Sequence, residues 1–134
     1  MNQQQKAQHL LEMHEQGTVL LPCAWDVGTA MMLEQLGFPA IGISSAGLSL
    51  CTGVQDGRNL LSRDELVINA SKIVSATEIP VIADLENGLG NRVALQQTIV
   101  AMVEAGVAGG SLEDATADAR VPLFAINEAS DRVS

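Results

Sequence analysis

Short, branched apolar runs alternate along this chain with segments of helical spacing, and no other feature narrows the possible folds as far. Thr18-Val19-Leu20-Leu21-Pro22, Ala40-Ile41-Gly42-Ile43, Pro80-Val81-Ile82-Ala83 and the stretch from Val107 to Asp114 read as strands. Runs of this length and branching suit strands covered on both faces. The segments between them carry helical stripes: Thr29, Met32, Leu33 and Leu36; then Leu66, Ala70 and Ile73 in a helix running to about Ala76; then Leu95, Ile99, Met102 and Val103. A first helix over residues 3–16, with Ala7, Leu10, Leu11 and His14 on one face, precedes the first strand, and another begins near Leu123. Asp26, the Ser62/Glu65 capping box and Asn91 open helices, while Gly17, Gly37 and Gly106 end them. Strands alternating with helices predict an α/β fold with a parallel sheet built from right-handed crossovers.

Four βα units make half of a (β/α)8 TIM barrel, since a closed barrel needs eight strands and roughly 250 residues. The 134 residues are therefore expected to form one domain, the N-terminal part of such a barrel, apparently truncated. Half a barrel leaves two open strand edges, which invites pairing with another chain. Charge and composition exclude other classes. A net charge of −9, with one Trp, two Phe and no Tyr, argues against nucleic acid and against anionic membrane surfaces. No apolar run reaches the length of a bilayer span, and the start is polar. Cys23 and Cys51 lack metal or redox spacing and are expected to be small buried residues of a cytoplasmic protein. The Met31-Met32 pair reads as core filling, and His9 and His14 as isolated, partly exposed helical residues.

Polar residues collect after the strands, where parallel α/β folds keep their sites. The third strand runs into Asp84-Leu85-Glu86-Asn87-Gly88-Leu89-Gly90, two carboxylates followed by a glycine-rich turn. Alternation along a strand would set Asp84 and Glu86 on one face, with Leu85 on the other. Such a pair suits a hard divalent cation, most naturally Mg²⁺, or it is the solvated start of a loop. Spacing alone leaves both open.

Ala24-Trp25-Asp26, Gly37-Phe38-Pro39-Ala40-Ile41, Ser44-Ser45-Ala46-Gly47-Leu48, Ala83-Asp84-Leu85-Glu86-Asn87-Gly88 and Leu112-Glu113-Asp114 stand in this order at successive strand ends. Together they resemble the isocitrate lyase/phosphoenolpyruvate mutase superfamily, in its mutase branch of uncertain substrate, from about Leu21 to Leu123. The resemblance implies Asp84 as the direct Mg²⁺ ligand, with Glu86 and Glu113 holding the ion through bound waters; Mn²⁺ would also suit the oxygen ligands. It implies Asp56 as the active-site acid beside the scissile bond. It also implies that Trp25, Ser44, Ser45, Ala46, Gly47 and Leu48 surround the substrate, the Ser45–Gly47 turn offering N–H groups and a hydroxyl to its carboxylate. Substrates of the family are small 2-oxo acids or phosphonates, and a C–C or P–C bond is made or broken through an enolate. Family members are oligomers, so a homo-oligomer is expected.

Two departures qualify the resemblance. The isocitrate and methylisocitrate lyases carry a Lys-Lys-Cys-Gly-His loop after strand four, where this chain has Asp114-Ala115-Thr116-Ala117-Asp118-Ala119-Arg120-Val121-Pro122. Those two activities are not expected, and Arg120 is the only cation in the loop. Cys23 stands where relatives commonly have Asn. The alternative functions are a non-catalytic remnant that retains only the metal-binding scaffold, and an open doubly wound binding domain. Against the last, no GxGxxG or GxxxxGK[ST] turn is present.

Overall fold

The computed structural model describes residues 1–134, and its centre is a four-stranded sheet in the order β1-β2-β3-β4, every neighbouring pair parallel. The strands are β1 (Cys23–Ala24), β2 (Ile41–Ile43), β3 (Val81–Asp84) and β4 (Gly109–Ser111). The helices are α1 (Gln3–Glu15), α2 (Val27–Gln35), α3 (Ser45–Thr52), α4 (Arg63–Ala76), α5 (Arg92–Glu104) and α6 (Ile126–Arg132). This is the α/β arrangement of half a barrel, with β1 and β4 as its open edges. No helix is long and apolar enough to cross a membrane.

Register explains which residues form the core. Ile41 pairs with Val81 and Ala24 with Ile43, and all four are buried on the helix-covered face. α4 turns Leu66, Ala70 and Ile73 onto that face, its first turn closed by the Ser62/Glu65 capping box. On the opposite face Ile82 and Asp84 are only partly covered, so β3 is not sealed on both sides as its apolar run suggested. α1 lies across the other end of the sheet. There Lys Nζ of Lys6 donates to the Thr77 carbonyl at 3.0 Å, and Gln3 Nε2 to the Val107 carbonyl at 2.9 Å.

Several expectations change in the folded chain. The first strand begins at Cys23 and not at Thr18, because the residues before Pro22 overhang the three-residue β2 and have nothing to pair with; Leu20 is 72% exposed. The fourth strand shortens to Gly109–Ser111. The residues after Ser44 form α3 rather than a turn: Ser44 Oγ accepts from the Gly47 N–H at 3.0 Å, and Gly53, at φ +76°, stops the helix. Both cysteines are exposed. Cys23 pairs with Gly42 on the uncovered face of the sheet. The Met31-Met32 pair is exposed too, because α2 turns Ala30 inward. α1 buries Lys6 and Leu10 and leaves Leu11 and His14 outside, while α5 buries Leu95, Thr98 and Met102 and leaves Ile99 and Val103 exposed beside the β4 edge.

Candidate functional site

β2, β3 and β4 run in one direction, so their exits meet at one rim. Asp84 ends β3, and its carboxylate is held from both sides. Asp84 Oδ2 accepts from Ser45 Oγ at 2.6 Å and from the Ser45 N–H at 3.4 Å, while Oδ1 accepts from the Glu86 N–H at 3.0 Å. Ser45 is the first residue of α3, so the strand-two exit directly orients the strand-three acid. The Ser45 and Gly47 donors expected for a substrate carboxylate are engaged within the chain, on Asp84 and on Ser44 Oγ.

Glu86 reaches the rim by a different route from strand alternation. β3 ends at Asp84, and Glu86 adopts the left-handed conformation at φ +48°. Leu89 at φ +57° and Gly88 at φ +80° continue the turn, and a bulky residue held at positive φ is strained backbone of the kind that collects at functional sites. The Gly88 N–H closes the turn on the Leu85 carbonyl at 2.8 Å. β4 is tied in by the Glu113 N–H, which donates to the Glu86 carbonyl at 2.8 Å. Gly47 has its own packing reason: a Cβ there would lie 2.7 Å from the Cβ of Trp25, so glycine lets Trp25 lie against the start of α3. Leu48 points into the core, and Asp56 lies exposed in the loop after α3.

Electrostatics mark the rim as a region of concentrated negative charge. Glu86 is buried, and its carboxyl is pushed up to about 6, first by desolvation and then by the charges of Asp84, Asp56 and Glu113. Glu113 is raised in the same direction by desolvation and by Asp84 and Asp56. Glu86 Oε2 is buried without any hydrogen-bond partner. Beside it lies a cavity of about 20 Å³ between Glu86, Asn87, Glu113, Gly57, Asn59, Ala115 and Thr116, enough for one water-sized species. A buried, unpartnered carboxylate oxygen among three other acids fits a bound cation. No three His, Cys, Asp or Glu side chains lie close enough together to hold an ion directly. A larger hollow of about 410 Å³ lies along α5 and the β4 edge, but its lining is mostly apolar and has no Asp or Glu, whereas Glu86 and Glu113 line the small cavity.

Residues 10–134 match the family model for phosphoenolpyruvate phosphomutase. The chain belongs to this family. Its membership also places it in the isocitrate lyase/phosphoenolpyruvate mutase superfamily. The chain is 39% identical over 101 residues, 75% of its length, to a carboxyvinyl-carboxyphosphonate phosphorylmutase of Arabidopsis thaliana that is described as chloroplastic, and covers 30% of that protein. It is 40% identical over 96 residues, 72% of its length, to a 2,3-dimethylmalate lyase of Eubacterium barkeri, covering 33% of it. Among solved structures, a phosphonopyruvate hydrolase in complex with oxalate and Mg²⁺ superposes with a TM-score of 0.87 at 28% identity, over 99% of this chain and 46% of that one. The chain thus spans about a third of the curated relatives it matches and just under half of that solved chain. Relatives in the family are lyases and mutases of small oxo acids and phosphonates.

Two further residues shape the rim. Asn87 lines the cavity and accepts the Leu89 N–H on its Oδ1 at 3.1 Å, an Asx turn that the Asn-Gly-Leu order could have suggested. Arg132 reaches the turn from α6, 45 residues further on, and no local pattern announces it.

Proposed function

We propose that the chain forms the metal-holding part of a Mg²⁺-dependent lyase or mutase that acts on a small 2-oxo acid or phosphonate and makes or breaks a C–C or P–C bond. The observation that carries this reading is the unpartnered, buried Glu86 Oε2 beside a water-sized cavity at a rim of four acids. Asp84 would bind the ion directly through Oδ1, which keeps a lone pair after accepting the Glu86 N–H, and Glu86 and Glu113 would hold it through water. Mn²⁺ would be accepted by the same oxygens. What Mg²⁺ supplies when bound is positive charge that stabilises the enolate form of the substrate. The chain's own contribution is orientation. Ser45 fixes Asp84, Trp25 and the Ser44–Gly47 segment bound the substrate's side of the rim with Leu48 anchoring that segment in the core, and Asp56 stands as the acid that serves the scissile bond. We read residues 1–134 as one partial (β/α) barrel domain of a cytoplasmic homo-oligomer.

A second reading, a chain that keeps the metal scaffold without turnover, is favoured by the partly uncovered face of the sheet and the small size of the cavity. The experiment is Mn²⁺ titration of the wild-type chain and Asp84→Ala, paired with assays on oxaloacetate, phosphonopyruvate and 2,3-dimethylmalate. Loss of both metal binding and turnover in the variant is the expected result. Wild-type metal binding with no turnover on any substrate selects the second reading, and unchanged Mn²⁺ affinity in Asp84→Ala overturns both.

A further inference from the structure

α6 meets the rim through one side chain. Arg132 Nη1 donates to the Gly90 carbonyl at 3.0 Å and Nη2 donates to the Asn87 carbonyl. Its guanidinium carbon lies 4.4 Å from the centre of the Phe124 ring, and its Nε is buried without a partner. Phe124 is itself anchored to the exit of β4, since its N–H donates to the Asp114 carbonyl at 2.9 Å. A continuous path therefore runs from the β4 exit, through the Phe124 ring and the Arg132 fork, to the turn that follows Asp84 and Glu86.

The turn needs such a tie. Glu86, Gly88, Leu89 and Gly90 all have positive φ, a conformation that non-glycine residues leave readily when nothing else holds it. The planar fork of an arginine can satisfy two carbonyls that diverge from one turn, which a point-charge ammonium does less well. The charges that bear on Glu86 are those of Asp84, Asp56 and Glu113. Both hydrogen bonds of Arg132 go to backbone carbonyls of the turn, so it acts on the turn's backbone.

We infer that Arg132 is a positioning residue: by clamping the Asn87 and Gly90 carbonyls it holds the β3–α5 turn in the left-handed conformation that sets Glu86 beside Glu113, with Phe124 supporting the clamp. The metal consequence rests on the function proposed above, whereas the clamp itself does not.

Backbone hydrogen exchange of the Glu86 and Gly88 amides tests the clamp, and Mn²⁺ titration tests its consequence. In Arg132→Ala these two amides are expected to exchange on the order of tenfold to a hundredfold faster, the loss of charge-assisted bonds from the turn. The core amides of β2 keep their protection, and Mn²⁺ affinity falls about tenfold. Arg132→Lys recovers part of both effects, which a general loss of stability would not produce. Unchanged exchange at Glu86 and Gly88 in folded Arg132→Ala overturns the clamp. Should Arg132→Ala fail to fold, Arg132→Lys and Phe124→Leu are read in the same way, and wild-type exchange rates in both overturn it. Faster exchange with unaltered Mn²⁺ affinity keeps the clamp and removes its link to the metal, while loss of Mn²⁺ dependence on Asp84 sinks the metal reading and leaves the exchange result standing.

Discussion

The exits of β3 and β4 each carry a leucine beside two acids, yet they are different environments. Asp84-Leu85-Glu86 leaves a strand with neighbours on both sides, and Leu85 and Glu86 are buried. Leu112-Glu113-Asp114 leaves an edge strand, so Leu112 is only partly covered and both acids are exposed. Position in the sheet, and not the local sequence, decides how much water each carboxylate keeps. Desolvation then raises Glu86 to about 6, whereas Glu113 moves the same way with more solvent around it. The central exit is the one able to exert strong electrostatic demands on a ligand, and the edge exit adds charge to it.

The widest gap between the two exits should appear in packing. Leu85→Ala removes a core side chain and is expected to cost about 2–4 kcal/mol, against about 1 kcal/mol for Leu112→Ala, both read from urea midpoints. Equal losses would mean that the edge exit is buried in solution, as it would be against another chain.

A smaller difference is expected for glycines. A Cβ at Gly88 would lie 2.6 Å from Leu95 Cδ1 at a φ of +80°, so Gly88→Ala combines strain with a clash and should cost about 1–3 kcal/mol. At Gly110 the nearest atom is Leu85 Cδ1 at 3.0 Å, the movable end of a side chain, so Gly110→Ala should cost under about 1 kcal/mol. Thermal melts of the two variants decide the point; a larger loss at Gly110 would reverse the ranking of the exits.

The smallest effect is the one tied to pH. A carboxyl raised to about 6 in the folded chain binds more protons there than in the unfolded chain, so its contribution to stability is lost as pH rises from about 4.5 through 6. Glu86→Gln removes that loss. Without divalent cation the variant should match the wild type below pH 4.5 and be more stable by about 1 kcal/mol at pH 7.5, the shift being discounted for partial screening. Glu113→Gln should act in the same direction and less. Mg²⁺ should reverse the wild-type trend, because protons and the ion compete for the same oxygens. A pH-independent difference between Glu86→Gln and wild type would remove Glu86 as the titrating group.

Much of this molecule was legible in its residues. The helix caps at Asp26, Ser62 and Asn91 stand where short polar side chains precede helical stripes, and the Leu66/Ala70/Ile73 face is buried as its spacing requires. Those features depend on residues three or four apart, so local order is enough to read them. Burial was less legible wherever a neighbour was assumed. Ile99 and Val103 have core composition yet lie exposed beside the open β4 edge, and Met31 and Met32 are exposed because α2 turns Ala30 inward. Asp84 and Glu86 were recognised as a pair for a reason that does not apply in the folded chain: the strand stops between them, and a left-handed turn bends Glu86 inward.

The sequence by itself determined the alternation of strands and helices, the helix starts and stops, and which acids stand at strand ends, because backbone propensity and side-chain period act over a few residues. Only the tertiary structure decided that Glu86 is buried with an unpartnered oxygen, that Ser45 holds Asp84, and that Arg132 grips the turn between β3 and α5. Each of those outcomes joins residues 39 to 45 positions apart or depends on how much water a neighbouring strand excludes, and neither quantity is written in local order.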